Sequence, residues 1–402
     1  MTESVLDPDD PADLVVPSRI KSTNQHHQPR DLTAGQRARF RAIALKSRRA
    51  KLDAQRGLTK PVHDVNVPKL DPLDLMPQRE ANGFPTLSLF SGGGGLDLGF
   101  DRAGYSHAAA FEILSHAADT LRSARPSWEV RGGEDGDVTK VKWTPWRHEV
   151  AVVHGGPPCQ PFSIAGRQNG ADDVRDMWPE FVRCVRTVRP KAFVAENVPA
   201  LASKKFAGYV RTHILEPLED RYHIQMLTLR GEDFGVPQIR RRVIFVGFAR
   251  KTDARRYTPP APTHAWPAHT DPDAAGLERC LGVREALGLA DIGFDALSPT
   301  IRSTLTGPRH TTSILNSVAA QRVFEQLQIW PNGVAPTREE ARAFVPANGH
   351  FRLAVPDVAV LQGFPQDWPL AGATYMRLGQ IGNAVPPPMA YALASSVADA
   401  LA

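Results

Sequence analysis

From residue 86 onward, short β-branched or apolar runs alternate with stretches whose apolar positions recur every three or four residues. "TLSLF" (86–90), "HAAAF" (107–111), "VAVVH" (150–154), "KAFVA" (191–195), "HIQMLTL" (223–229) and "RVIFVGF" (242–248) predict strands, and residues 176–188 and 204–221 predict amphipathic helices between them. This alternation predicts an α/β fold, a Rossmann-like, mostly parallel sheet with helices on both faces. Ligands of such sheets collect at the carboxyl ends of the strands. The pattern is expected to hold over 81–248, stop over 249–349 and resume over 350–402. The middle stretch, with "YTPPAPTHAWPAHTDPDAAG" and "LSPTIRSTLTGPRHTTS", reads as a smaller irregular domain, and "AVPPPMAYALASSVADALA" closes the chain as an apolar helix started after prolines.

Residues 1–80 read as an N-terminal extension. The first thirty are rich in Pro, Asp and His and are expected to be poorly ordered. "TAGQRARFRAIALKSRRAKL" (33–52) predicts a helix, with Thr33 and Gln36 in capping-box positions and Phe40, Ile43 and Ala44 on one face. Residues 19–60 hold twelve Lys/Arg and two Asp/Glu, a net +10. Such a run is either a solvated helix face or a phosphate contact.

Composition narrows the class. Of 402 residues 23% are charged and 42% hydrophobic, as in soluble globular proteins, and no apolar run approaches the roughly 20 residues that span a bilayer. The first residues, "MTESVLDPDDPADL", lack a signal peptide's apolar stretch. Cys159, Cys184 and Cys280 form no CxxC pair, which fits a reducing cytoplasm, and the 13 histidines show no metal-ligand spacing, so no metal site is expected. The net charge of +5 permits a polyanionic partner without demanding one. Arginine outnumbers lysine, through genome base composition or through phosphate recognition.

Five stretches carry candidate chemistry. "TLSLFSGGGGLDLGF" (86–100) runs a strand through Gly92, Gly93, Gly94 and Gly95 into a helix start, where a backbone can approach a ligand closely. It is not a dinucleotide fingerprint, because the last glycine of GxGxxG would fall at Asp97. Glu112, at the end of the next strand, is placed to grip ribose hydroxyls, and Asp137 to accept from an adenine amine. A nucleoside-bearing cofactor without a pyrophosphate is the reading, so S-adenosylmethionine fits better than NAD. "HGGPPCQPFS" (154–163) presents Cys159 in a Pro-rich loop after a strand, the setting of a nucleophile rather than of a core thiol. "FVAENVPAL" (193–201) puts Glu196 beside an apolar strand end, where a carboxyl can hold a proton to donate; Asn197 there is also a candidate N-cap. "QIRRRVIFVG" (238–247) puts Arg240 and Arg242 on one face of a strand start, as donors to phosphate or carbonyl oxygens. "QIGNAVPPPMA" (380–390) alone is a turn before a proline-started helix.

In this order, over roughly 86–402, "LFSGGGGLDLGF", "GGPPCQPFS", "ENV", "QIRRR" and "QIGNAVPPPMA" resemble the ordered blocks of the cytosine-5 DNA methyltransferase family. One block departs: before Leu-Gln-Gly-Phe-Pro the family usually carries Thr-x-Arg-Glu, whereas this chain has Ala354, Pro356 and Asp357, which bears on packing between domains. The resemblance implies a methyltransferase that uses S-adenosyl-L-methionine on double-stranded DNA as a cytoplasmic modification enzyme. A monomer is expected, with no membrane and no metal, beside a restriction endonuclease encoded separately or none. It implies Cys159 as nucleophile, Glu196 as acid, and Arg242 with Arg240 at the target base or its phosphates. Phe90 and the glycines would cradle the cofactor, Glu112 would hold its ribose and Asp137 its adenine, Asn383 and Val385 would complete the wall, and Ile113, Val138 and Pro158 would also contact it. Gln160, Ser163, Arg167, Arg175 and Gln238 would contact DNA. Within 249–349, the family's recognition region, Arg302, Arg309 and His310 would read bases or touch phosphates.

The chemistry explains the set. Thiolate addition to carbon 6 of cytosine makes carbon 5 nucleophilic enough to take a methyl group. An acid at ring nitrogen 3 and an arginine at the ring carbonyl stabilise the adduct. The base must leave the duplex, at a few kcal/mol. "SIAGRQNGADDVRD" (163–176), with Gly166 and Gly170 as hinges, is expected to close as a lid anchored by the helix from Asp176. The rival readings are an RNA cytosine methyltransferase, a catalytically silent DNA-binding relative and a nicotinamide-dependent oxidoreductase.

Overall fold

The computed structural model describes residues 63–158, 176–305, 311–315, 317–331, 333–343 and 349–402, with single residues between 33 and 58. Seven strands, β1 (Pro85–Leu89), β2 (Ser106–Glu112), β3 (Val130–Gly132), β4 (Val152–Gly155), β5 (Ala192–Asn197), β6 (His223–Arg230) and β7 (Arg241–Phe248), form one sheet in the order β3-β2-β1-β4-β5-β7-β6. All six strands expected from the sequence are present. β3 has only three residues, too few for a periodic signal. Pairing is parallel from β3 to β5, whereas β7 runs antiparallel to both β5 and β6. The strand order reverses direction at β1/β4, the crevice where such sheets bind ligands.

The central strands are apolar on both faces because both are covered. Val153, Phe193 and Phe245 point into one core with Trp178, Phe181 and Val185, while Val152, Val194 and Val246 point into the other with Phe100, Met389 and Leu393. This is the two-residue alternation of a strand. The first core is capped by helix α3 (Trp178–Val188), the second by α1 (Gly95–Arg102) and the closing helix (Pro387–Leu401); α2 (Ser115–Ala124) flanks β3. Each fully buried Phe or Leu contributes about 1.5–3 kcal/mol to these layers.

The helix expected over 204–221 is instead broken into a 3₁₀ turn (Lys204–Phe206), one α turn (Ala207–Val210) and a π-helical stretch (Arg211–Leu215). Gly208 weakens its start and Pro217 cannot donate to its last turn. Val210, Ile214 and Leu218 are still buried, so the apolar stripe survives the broken backbone.

Beyond β7 come α4 (Lys251–Arg256), a two-stranded ribbon (His264–Ala265 with Glu278–Arg279), α5 (Val318–Gln326) and α6 (Arg338–Ala343). The chain then returns through α7 (Val355–Gln362) and α8 (Thr374–Asn383) to α9 (Pro387–Leu401). Ile301, Ile314 and Phe324 share one core with Val358, Leu361, Phe364, Leu378 and Ile381, so the irregular segment packs on the returning one. Residues 63–80 form a strap across both. Lys69 and Leu70 donate their N–H groups to the carbonyl of Ala286, Asn66 donates to the carbonyl of Leu287, and Met76 is fully buried in the same core.

Asp357 gives the departing block its structure. Its Oδ2 accepts from the N–H of Ala354 at 2.8 Å, the half of a capping box that survives when the N-cap lacks a hydroxyl. Its Oδ1 accepts from Arg338 Nε at 2.8 Å and from Asn66 Nδ2 at 3.0 Å. One fully buried carboxylate thus ties α7 to α6 and to the strap.

Candidate active site

The carboxyl ends of β1, β2, β4 and β5 form one rim. β1 leaves the sheet through Phe90, a half-buried aromatic held at φ 57°, and continues into the glycine run that starts α1. A left-handed backbone is rare for an aromatic residue and marks stored strain. At Gly95 a side chain is impossible, because a Cβ would sit 2.2 Å from the carbonyl oxygen of buried Val385. Glu112 ends β2. Its Oε2 accepts from the N–H of Gly92 and its Oε1 from that of Leu114, each at 2.7 Å. Burial raises its pKa and the two N–H donors oppose the rise. Next to it Ile113 is 59% exposed, an apolar surface at the rim.

Asp137 follows β3. Burial works to raise its pKa, but the hydroxyl and N–H of Thr139 and the ammonium of Lys140 hold it low. A cleft of about 690 Å³ runs beside it, lined by Arg131, Gly132, Lys140 and Trp146 among others. Val138 is buried. Two supports of this half were missed from sequence. Trp368 donates its indole N–H to the carbonyl of Gly93 at 2.9 Å. Gln380 accepts from Thr120 and donates to the carbonyl of Ala371, with its Cβ against Gly93. A tryptophan 275 positions from its glycine leaves no local signal.

In the other half, β4 ends at Gly155 and runs through Gly156, Pro157 and Pro158. Asn197 is not a helix N-cap here: its Nδ2 donates to the carbonyl of Pro157 at 3.1 Å and pins that loop, while its Oδ1 accepts from the N–H of Val198. Glu196, 8% exposed, lies 2.5 Å (Oε1) from Arg242 Nε. A Cβ on Gly156 would lie 2.9 Å from its other oxygen. Burial pushes the Glu196 pKa up, and Arg242 and then Arg240 pull against it, so this carboxyl is both desolvated and ion-paired. The reversal of β7 creates the pair, because it brings the start of that strand beside the end of β5.

The other expected residues divide. Cys159, Gln160, Ser163, Arg167, Arg175, Arg309 and His310 lie outside the described residues, as does the lid apart from Asp176. Asp176 accepts from the N–H of Trp178 and from the hydroxyl of Tyr209, fixing the start of α3. Cys184 and Cys280 are buried thiols whose pKa values burial raises, that of Cys280 to about 12, so neither is a ready nucleophile. Asn383 is exposed at the end of α8. Arg302 is partly buried and donates through Nε to the carbonyl of Ser313.

Two expectations need correction. Gln238 does not reach toward DNA: it is fully buried, donates to the carbonyl of Leu361 and to Oε1 of Gln362, and accepts from the N–H of Ile301. Arg240 does not share a ligand-facing surface with Arg242, because it precedes β7 and turns inward. It is fully buried and donates to the carbonyls of Ile301, Gly382 and Ala384. A buried guanidinium needs such partners, and these join the irregular segment to the end of α8.

One cluster was invisible in sequence. Asp97 (α1), His107 (β2) and His154 (β4) meet beneath the glycine loop, with ligand-capable atoms within 4.8 Å of one another. Their side-chain nitrogens and oxygens are buried without a well-formed hydrogen bond among the described residues. His107 stacks on Trp128 and His154 on Phe100. Burial lifts the Asp97 pKa to about 7, against the nearby Ser88 hydroxyl, and lowers that of His154 to about 3. Two imidazoles and a carboxylate are a transition-metal donor set. Bonds of 2.0–2.1 Å would, however, bring donors within about 3.3 Å of each other in a tetrahedron, and Asp97 Oδ1 stands 3.8 Å from His107 Nε2. The cluster is a buried acid–imidazole set whose Asp97–His107 separation is wider than that of a regular tetrahedral zinc site.

A Rossmann-like sheet, a glycine loop gripped by a carboxylate and a buried Glu–Arg pair beside a Pro-Pro loop define a methyltransferase framework. The profile of C-5 cytosine-specific DNA methylases matches residues 84–292 and 297–399. The chain belongs to this family, and its enzyme class is DNA (cytosine-5) methyltransferase. It is 34% identical over 334 residues to the Type II methyltransferase M.NgoMIV of Neisseria gonorrhoeae, covering 79% of this chain and 98% of that protein. It is 35% identical over 322 residues to M.NaeI of Lentzea aerocolonigenes, covering 78% and 75%. Among solved structures the fold is shared with a prophage-encoded Escherichia coli protein described as a DNA modification methyltransferase (TM-score 0.54, 22% identity, covering 79% and 99%). It is shared too with the Entamoeba histolytica methyltransferase EhMeth (TM-score 0.51, 14% identity, covering 81% and 100%). No helix among the described residues is long and apolar enough to cross a membrane.

Proposed function

We propose that this enzyme methylates carbon 5 of a cytosine extruded from duplex DNA, through a covalent adduct with Cys159 and with S-adenosylmethionine as methyl donor. The observation that carries the reading is the Glu196–Arg242 pair, buried beside the Pro157–Pro158 loop. The next residue in sequence is Cys159, and the other two thiols are buried.

The rim fits a nucleoside-bearing methyl donor. Glu112 is a buried carboxylate at a strand end, already gripping the glycine backbone. Ile113 offers an exposed apolar face beside it, and the open cleft leads to Asp137. Phe90, Gly92–Gly95, Val138, Pro158, Asn383 and Val385 would complete the cradle. When bound, S-adenosylmethionine supplies an electrophilic methyl group.

The chain's own groups do the rest. Cys159 adds to carbon 6 of the cytosine ring, and Glu196 delivers its proton to ring nitrogen 3. Arg242 orients Glu196 and places positive charge at the ring carbonyl. Carbon 5, made nucleophilic by that addition, takes the methyl group; loss of the carbon-5 proton to water then expels the thiolate, and ring nitrogen 3 returns its proton to Glu196. Gln160, Ser163, Arg167, Arg175, Arg302, Arg309 and His310 would hold the DNA. Gln238 and Arg240 are assigned to the framework instead.

The test is trapping. A duplex carrying 5-fluorocytosine at its target site cannot lose a proton from carbon 5. With S-adenosylmethionine present, it is expected to become attached to the protein irreversibly and to shift in a denaturing gel, whereas Cys159→Ala gives no shift. Trapping on transfer RNA but not on duplex DNA would replace the substrate, and no trapping at all would reject the mechanism.

A further inference from the structure

The family match begins at residue 84, and the alignment to M.NgoMIV uses 98% of that protein but 79% of this chain. The N-terminal extension is therefore an addition to the shared enzyme. Residues 19–60 carry twelve Lys/Arg against two Asp/Glu, whereas the whole chain is only +5. The charge is concentrated outside the residues that the family profile matches.

The described residues from Ala34 to Asp53 are helical. Arg37, Arg41, Arg49 and Arg56 are all exposed. At about 100° per residue, helical positions 37, 41 and 49 fall within roughly a third of a turn, so these three guanidiniums share one side, and Arg56 follows in the turn beyond the helix. None of them makes an ion pair or side-chain hydrogen bond among the described residues. A solvated helix face is normally laced with opposite charges at i, i+4; this one is nearly all of one sign.

The tether places it. The His63 ring packs at a tilt against Phe351, with centroids 4.4 Å apart, and the strap that follows hydrogen-bonds to Ala286, Leu287 and Asp357. The seven residues from Arg56 to His63 span at most about 25 Å. The near end of the basic run, Arg56, therefore lies within that reach of the strap that packs on the segment expected to recognise DNA.

We propose that this extension is a second DNA-binding element, a sequence-independent clamp on the phosphate backbone through Arg37, Arg41, Arg49 and Arg56. It rests on the reading that the substrate is duplex DNA. A basic clamp raises affinity for any duplex and steers encounter, and it contributes nothing to the chemical step.

The experiment uses the full chain and its R37Q/R41Q/R49Q/R56Q variant, with R37K/R41K/R49K/R56K as a charge-preserving control. Duplex affinity is measured against salt, and methyl transfer at saturating DNA. The expected result is a salt slope shallower by about 0.9 for each phosphate no longer neutralised, up to about 3.6. The weakening should be equal for cognate and unrelated duplexes, turnover at saturation unchanged, and the lysine control parental. A glutamine variant with the parental slope overturns the clamp, whether or not the exposed Leu45 and Leu52 then serve a protein partner. If the parent methylates DNA, only the clamp has failed; if the parent neither binds nor methylates duplex DNA, the functional reading fails and the clamp with it.

Discussion

Arg242 Nε lies 2.5 Å from Glu196 Oε1, and both side chains are about nine-tenths buried. The pair joins the end of one strand to the start of an antiparallel neighbour. Burial raises the Glu196 pKa and Arg242 is the larger of the two charges opposing it. Arg242→Met removes that opposition, so the Glu196 pKa rises further. Because the acid acts in its protonated form, the alkaline limb of the kcat–pH profile should move to higher pH, while kcat falls by about 10²–10³ through loss of a charge-stabilising donor. A limb that moves down, or stays, contradicts the assignment of Glu196 as acid.

Gly156→Ala probes the same carboxyl sterically. The new Cβ would stand 2.9 Å from Glu196 Oε2, so the carboxyl must swing away. Misplacement by about 1 Å can cost 10²-fold in rate. Single-turnover methyl transfer should fall by at least tenfold with the melting temperature nearly unchanged, since the clash falls on a side-chain end.

Gln238→Leu tests the framework role of that amide. The substitution leaves the carbonyl of Leu361, the Gln362 amide oxygen and the Ile301 N–H without that partner. Each buried polar group left unpaired costs about 1–3 kcal/mol. The expected outcome is a clear drop in the urea midpoint. Were Gln238 to touch DNA instead, the variant would keep its stability and lose only duplex affinity.

Asp97 makes stability depend on pH. Its folded pKa of about 7 stands above the ordinary 3.8. The protonated form favours folding, so its contribution is full below about pH 4 and is lost as pH rises through 7. Asp97→Asn stays neutral throughout. The stability of the variant relative to the parent should grow by up to about 1.4 kcal/mol per pH unit between pH 4 and 7, then level off. His107 and His154, neutral in the fold, titrate in both proteins and cancel in the difference. Denaturant titrations at several pH values measure it, and a difference independent of pH would show that Asp97 is ionised in its cavity.

The sequence alone determined the strands, the closing helix, the break in pattern near residue 249 and the stretches that meet at the rim. These are local properties: side-chain period, glycine and proline placement, and a carboxyl at the end of a strand. Tertiary structure alone decided which way those side chains face. Arg240 and Arg242 are two apart and look equivalent in "QIRRRVIFVG", yet strand β7 begins between them, sending Arg240 into the framework and Arg242 to Glu196. Nothing local announces that β7 runs backward, because antiparallel and buried parallel strands share one apolar signature. The meeting of Asp97, His107 and His154, and of Trp368 with Gly93, likewise needs the sheet order and the returning chain. Period and punctuation are written residue by residue, whereas partners far apart in sequence are chosen by packing.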